Sequence, residues 1–342
     1  MIDILHVKNN RIYLGRAATA IYLILKAEGL SGKKVLFPAN ICYAAVYPAI
    51  YAGCEPVFCD IDPSTGNILY EVFIRHADEI KAAVIPHMYG NPVPYISDIV
   101  ADCKGRGILL IEDCASAMGA TIDGRLCGSF GDYSIFSTGY AKTIDLGRGG
   151  IVLSDRSMDT LNELYMELPD RTDEASINDA FFSKLYRLIR NNPDQTLDKY
   201  IWKNLPLGLR SFYLFKDHGI DKIIEEGIKG LSDVVETRRK KIALYDSYLR
   251  DTSSVEIYNW NEGSVPWRYN LFADQEIRRR IISNLLDKNL PVSDWYPDVS
   301  RVFGIESDCR NAMEFGSRII NLPLLIPNEE IEEICRGIIG SY

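Results

Sequence analysis

The sequence has few histidines, no paired cysteines and none of the short signatures from which many reactions can be read directly. Its four histidines stand at 6, 76, 87 and 218, and none has a second His or Cys at ligand spacing, so no metal site is expected. The eight cysteines are scattered singly with no Cys-x-x-Cys pair. Several lie in apolar runs, where a thiol packs as a small hydrophobe, which argues against a disulfide framework and for a reduced, cytoplasmic protein. The absence of GxxxxGK[ST] and of GxGxxG excludes a P-loop and the dinucleotide fingerprint, and without Gly-x-Ser-x-Gly a serine-hydrolase elbow is unsupported. The most apolar windows, residues 17–25 and 107–111, fall far short of the roughly 20 residues a membrane span needs. The opening MIDILHVKNNR has no signal-peptide pattern. There is no basic excess either. Lys and Arg total 38 against 47 Asp and Glu, a net charge of -9 that disfavours nucleic acid and anionic lipid as partners.

What is present is an ordinary globular composition, 47% apolar and 25% charged over 342 residues, enough for one large domain and a smaller one. Residues 12–160 alternate between helical and strand-like segments. Helices are expected over 19–29, 44–52 and 95–106, and strands over 34–37, 56–60, 80–86, 108–112, 133–137 and 150–154. Short apolar strands between helices predict an α/β fold with a mostly parallel sheet covered by helices. Residues 160–225 differ, being polar with interleaved aromatics (FFSKLYRLIRNN, KYIWKNL, RSFYLF), and read as a divergent helical segment that caps a site or meets a partner. Residues 226–250 predict one long amphipathic helix. Strands over 255–260 and 267–272 and helices over 275–289 and 328–337 follow it. The expected division is a large domain, 1–225, and a small α+β domain, 226–342.

Asp113 ends the strand ILLIED, where ligands of open α/β sheets bind; equally, it could cap the helix after it. Lys142 follows an apolar strand and precedes Gly147-Arg-Gly-Gly150. A lysine beside buried strand ends can lose its proton and form a Schiff base, although a lone lysine is far more often simply solvated. Gly15-Arg-Ala-Ala-Thr19 opens a helix whose free amides suit a phosphate, or Thr19 is a plain N-cap. His87, in PHMYG, is a structural hydrogen-bonding residue or a site residue.

The order of these pieces is more specific than any one of them. PANICYAAVYPAIYAGCEPVFCDID, PHMYGNP, IEDCASAMGATIDGRLCGSFGDYSIFS and STGYAKTIDLGRGGIVLSD resemble, in sequence, the successive motifs of the DegT/DnrJ/StrS family of fold type I, pyridoxal-phosphate (PLP)-dependent sugar aminotransferases. ETRRKKIALYDSYL and IINLPLLIPNEEIEEI are similar to that family's later motifs, whereas residues 160–225 show no clear match. The resemblance implies that Lys142 binds PLP covalently and that Asp113 pairs with the cofactor's ring nitrogen. It implies that Ser137 and the backbone at Ala17 and Ala18 hold the phosphate, with Ser116 near the ring hydroxyl. The family's stacking aromatic falls on Cys42, so Tyr43 or His87 would have to supply a ring face. Arg148, Trp267, Arg268, Trp295 and Tyr296 are candidate substrate contacts, since Arg suits a diphosphate and aromatics suit a base or sugar. The implied reaction is transfer of an amino group from glutamate to a nucleotide-linked keto-sugar by a cytoplasmic homodimer. The alternatives are a PLP-dependent lyase or decarboxylase and a PLP-binding regulator without turnover. Three departures stand out: Arg16-Ala17-Ala18 where the family has Ser-Gly-Thr, Ser116 for a longer residue, and no counterpart of the family's partner-subunit Asn.

Overall fold

Five-residue apolar runs, punctuated by glycine and proline, build the main sheet. The computed structural model describes residues 2–172, 208–300, 302–305 and 307–341. Nine strands come first: β1 (Asn10–Leu14), β2 (Lys34–Pro38), β3 (Glu55–Cys59), β4 (Ala82–Pro86), β5 (Leu109–Asp113), β6 (Thr121–Ile122), β7 (Arg125–Leu126), β8 (Tyr133–Ser137) and β9 (Gly150–Ser154). Interleaved with them are α1 (Ala17–Ala27), α2 (Tyr43–Tyr51), α3 (Tyr70–His76) and α4 (Ile96–Arg106), with α5 (Asp159–Met166) after β9. Seven strands form one sheet in the order β1-β9-β8-β5-β4-β2-β3. The pairs from β3 through β8 are parallel, and β9 runs antiparallel to both β8 and β1. The expected α/β architecture is therefore present. The short hairpin β6–β7 stands apart from this sheet.

Because side chains alternate across a strand, each strand divides its residues between two cores. Val35, Phe37, Ala82, Val84, Leu109, Ile111, Tyr133 and Ile135 face the core that contains α1 and α2. Leu36, Ala83, Ile85 and Leu110 face the core that contains α3 and α4. Helix α1 is buried almost all round, with Leu23, Ile24 and Leu25 fully covered. Each such side chain contributes about 1.5–3 kcal/mol relative to exposure.

After residue 207, residues 208–213 are helical; the stretches FFSKLYRLIRNN and KYIWKNL lie outside the described residues. Then come α6 (Ile220–Ile228), α7 (Leu231–Leu249), β10 (Glu256–Ile257), β11 (Tyr269–Phe272), α8 (Gln275–Asp287), α9 (Arg310–Arg318), β12 (Ile319–Leu322) and α10 (Asn328–Ile339). The single helix expected over 226–250 is two, parted at Gly230, a residue with low helix propensity. The change of domain placed at 226 falls inside α6, whose Ile220 and Ile224 pack with Leu231 and Val235 of α7 against the large sheet's Ile151 and Leu153. The far end of α7, Tyr245 and Leu249, belongs instead to the core of the antiparallel sheet β10-β11-β12. Helix α7 thus spans both cores. No helix among the described residues is long and apolar enough to cross a membrane.

Candidate active site at the carboxyl ends of β5 and β8

Alternation along β5 sends its last two carboxylates to opposite faces. Asp113 shares the α1 face with Leu109 and Ile111, and Glu112 shares the other face with Leu110. Parallel β8 lies beside β5, and Ser137 closes it on the α1 face, in register with Gly150 of β9.

Lys142 follows in the loop after β8 and reaches back, Nζ donating to Ser116 Oγ at 3.2 Å. One oxygen of Asp113 accepts the Ala115 N–H at 2.9 Å. Burial pushes the Asp113 carboxyl up from its ordinary value, opposed by that N–H and by the charges of Lys142 and His87. Asp113 is thus bonded like a local cap and also faces the lysine. Burial likewise raises the Cys42 thiol, with Lys142 pulling it down, so Cys42 belongs to the same cluster. Tyr296 joins it too: burial raises its phenol, and Cys42, Tyr89 and Asp113 add to the rise.

The start of α1 forms a cradle beside Ser137. The helix is capped by the extended backbone of Arg16, with no side-chain cap bond and no acidic residue in its first turn, which leaves the positive end of its dipole uncompensated. Thr19, the alternative cap, is fully buried, and its Oγ1 donates to the Tyr213 carbonyl at 2.6 Å. A Cβ on Gly150 would stand 2.3 Å from the Ala17 Cα, so β9 can approach the helix start only as glycine. The Ser137 hydroxyl accepts the Gly139 N–H at 3.2 Å. Ser137, the first amides of α1 and the loop glycine fit an anion the size of a phosphate. With Lys142 and Asp113 on the same face, the residues present fit PLP.

Two candidates are placed elsewhere. His87 is on the wrong face: Nε2 lies 3.0 Å from Glu112 Oε1, and Nδ1 accepts the Val93 N–H at 3.0 Å. With both nitrogens engaged and the residue 1% exposed, His87 braces the structure from the Glu112 side of β5. Arg148 pairs with buried Asp217 at 3.2 Å. Asp217 and Phe215 press on Gly15, and the Arg16 guanidinium lies 3.8 Å from the Phe212 ring centre, so the RSFYLF stretch covers the outside of the cradle.

The aromatic candidates form the wall. Trp267 and Tyr296 stack with ring centres 5.8 Å apart, and Tyr43 lies 6.2 Å from Trp295. Tyr89, which the sequence reading passed over for its neighbour His87, ties these residues together. Its hydroxyl accepts the Tyr296 N–H at 2.9 Å, and its carbonyl accepts the Trp267 N–H at 2.7 Å. Gly90 makes this possible, because a Cβ there would stand 1.9 Å from the Val265 carbonyl. Arg268 lies over the Trp267 ring, 5.1 Å from its centre, and forms no ion pair among the described residues. Arg238 was also missed. It reads as one of many charges on a helix, and only the fold reveals that it is buried.

In sequence and in fold the chain is similar to known proteins. Residues 4–167 match the model of the DegT/DnrJ/EryC1/StrS aminotransferase family. The chain is 25% identical over 319 residues to dTDP-4-dehydro-2,3,6-trideoxy-D-glucose 4-aminotransferase of Saccharopolyspora spinosa, covering 92% of this chain and 79% of that protein. It is 35% identical over 144 residues to GDP-perosamine synthase of Escherichia coli O157:H7, covering 42% of this chain and 39% of that protein. Its fold matches the crystal structure of the aminotransferase TlmJ from Streptoalloteichus hindustanus with a TM-score of 0.76 at 20% identity, over 97% of this chain and 85% of that one. Residues 4–167, which carry β1 through β9 with Asp113 and Lys142, are thus the part of the chain that resembles the DegT/DnrJ/EryC1/StrS aminotransferase family.

Proposed function

We propose that the chain is a PLP-dependent aminotransferase that moves an amino group from glutamate to a nucleotide-linked keto-sugar. The observation that carries this reading is the convergence of Lys142, Ser116 and Asp113 on one face of the sheet, beside a phosphate cradle at Ser137 and the start of α1. When bound, PLP supplies an electron sink for the carbon that gains or loses the amino group. Asp113 would face the ring nitrogen. Its burial, which favours the neutral acid, is offset there by a positive partner, as Lys142 already offsets it in part. Lys142 would attach the cofactor and, once displaced by the amino donor, carry the proton between substrate and cofactor as a general base. Ser116 orients Nζ for both tasks. Ser137 and the amides of Ala17 and Ala18 would hold the phosphate.

The wall of Trp267, Tyr296 and Trp295 suits the flat face of a nucleotide base or a sugar, and Arg268 is the cation best placed for the diphosphate. The nucleotide-sugar class is supported by the names of the relatives, and glutamate as donor by the family resemblance. We also propose a homodimer; Tyr140, 84% exposed and two residues from Lys142, marks the side on which a second subunit would close the site. The test is a half-reaction. Purified protein loaded with PLP and mixed with glutamate should convert the cofactor to its amine form. A panel of nucleotide keto-sugars should then restore the starting spectrum. Loaded protein that no amino donor converts would overturn the aminotransferase reading.

A further inference from the structure

Arg238 is a buried cation that pairs with no carboxylate among the described residues. It lies on α7, 3% exposed, and gives its hydrogen bonds to backbone carbonyls. Nη1 donates to Pro266 O at 3.1 Å and Trp267 O at 2.7 Å, and Nη2 donates to Lys142 O at 3.1 Å and Thr143 O at 3.4 Å. One guanidinium thus joins the loop that carries Lys142 to the segment leading into β11. The Trp267 indole completes the hold, its N–H donating to the Ala141 carbonyl at 2.5 Å. Three consecutive carbonyls, at 141, 142 and 143, are therefore fixed by side chains from outside the loop.

The loop needs holding. Ala141 has φ +60, a left-handed conformation that costs a residue with a Cβ about 1–3 kcal/mol. The arginine needs a reason to be there as well. Burial, with Arg268 nearby, lowers its pKa to about 10, which is the mark of an unfavourable place for a charge. A well-packed apolar residue of similar volume is often no less stabilising than a buried charge. What an apolar residue cannot do is bind four carbonyls from two segments at once.

We propose that Arg238 is a positioning residue, which together with the Trp267 indole fixes the backbone of Lys142 so that its Nζ stays beside Ser116 and Asp113. The inference rests on the reading of Lys142 as the cofactor-binding lysine, and it assigns α7 a part in the chemistry. Displacing a reacting group by about 1 Å costs on the order of 10²-fold in rate.

The experiment compares Arg238→Met, Arg238→Lys and Trp267→Phe with the wild type. Hydrogen exchange on the cofactor-free proteins should show faster exchange at residues 139–145 in Arg238→Met, with the amides of β8 still protected. The loaded protein should show a shifted pH midpoint of the bound cofactor's absorbance. Its half-reaction with glutamate should slow on the order of 10²-fold in kcat with KM unchanged. Arg238→Lys, whose donors radiate from one point, should recover only part of this, and Trp267→Phe should move each readout the same way by less. A folded Arg238→Met with wild-type exchange at 139–145 and a wild-type pH midpoint overturns the proposal. If Arg238→Met does not fold, Trp267→Phe decides, and an unchanged midpoint there overturns it equally. If the wild type itself binds no cofactor on Lys142, the underlying reading has failed and this one falls with it.

Discussion

The two faces of β5 at its carboxyl end hold two carboxylates, adjacent in sequence, used in opposite ways. Glu112 is fully buried and satisfied: it accepts the N–H groups of Gly128 at 2.5 Å, Phe130 at 2.8 Å and Gly131 at 2.9 Å and pairs with His87 at 3.0 Å. Asp113 has one bond, to Ala115 N–H, and its second oxygen makes none among the described residues. Burial works against ionisation of Glu112, but His87 and the backbone donors outweigh it and its pKa falls; at Asp113 burial wins and the pKa rises. A polar group whose bonds are complete supports the fold, and one left incomplete beside a lysine is available for a ligand. The same contrast separates the two arginines of the candidate list, Arg148 committed to Asp217 and Arg268 uncommitted.

Changes on the two faces should therefore separate activity from stability. The largest effect is expected from Lys142→Ala. It removes the attachment point and the base, so turnover should fall by at least about 10²–10⁴-fold while the melting temperature holds, because the side chain makes one hydrogen bond. Glu112→Ala should do the reverse, lowering stability in denaturant titration by about 3–5 kcal/mol, since it strands three N–H groups and the buried histidine.

The same pair sets a pH dependence. Burial lowers the His87 pKa, but Cys127 and Glu112 outweigh it and raise the value to about 10, against an ordinary 6.5. A raised folded-state pKa stabilises fully below the ordinary value. This contribution should shrink as pH rises from about 6.5 toward 10. Glu112, lowered below 4.5, contributes above that value and is lost in acid. Thermal melts across pH should show both limbs in the wild type, and Glu112→Ala should flatten them.

Gly150→Ala places a Cβ 2.3 Å from the Ala17 Cα. It should cost about 1–3 kcal/mol of stability and weaken PLP binding by opening the cradle. Ser116→Ala should be the mildest, about 0.5–1.5 kcal/mol on cofactor binding measured by titration, with no change in melting. Equal losses of stability from Ser116→Ala and Glu112→Ala would erase the contrast between the faces.

Much of this was legible in the sequence. The strands 133–137 and 150–154 stand in the structure with those bounds, because each is a compact apolar run with clear ends. The period-two alternation of ILLIED places Glu112 and Asp113 on opposite faces without any structure. Strand β1 was missed because NRIYL is a half-exposed edge strand without an apolar run, and β12 because its register depends on a partner far along the chain. His87, left open between a brace and a site residue, and Arg148 could not be assigned from sequence for one reason: composition tells that a side chain can bond, and only the fold tells what it has already bonded to. Arg238 and Tyr89 stayed hidden because their hydrogen-bond partners lie 28 residues or more away in sequence.

The central claim, that the Asp113 face is the working one and Lys142 its covalent centre, is tested most directly by reduction. Protein incubated with PLP, treated with borohydride and digested should carry the cofactor on the peptide containing Lys142. Lys142→Ala, folded and treated alike, should carry none. Label absent from that peptide, or equal label on the alanine variant, would contradict the account.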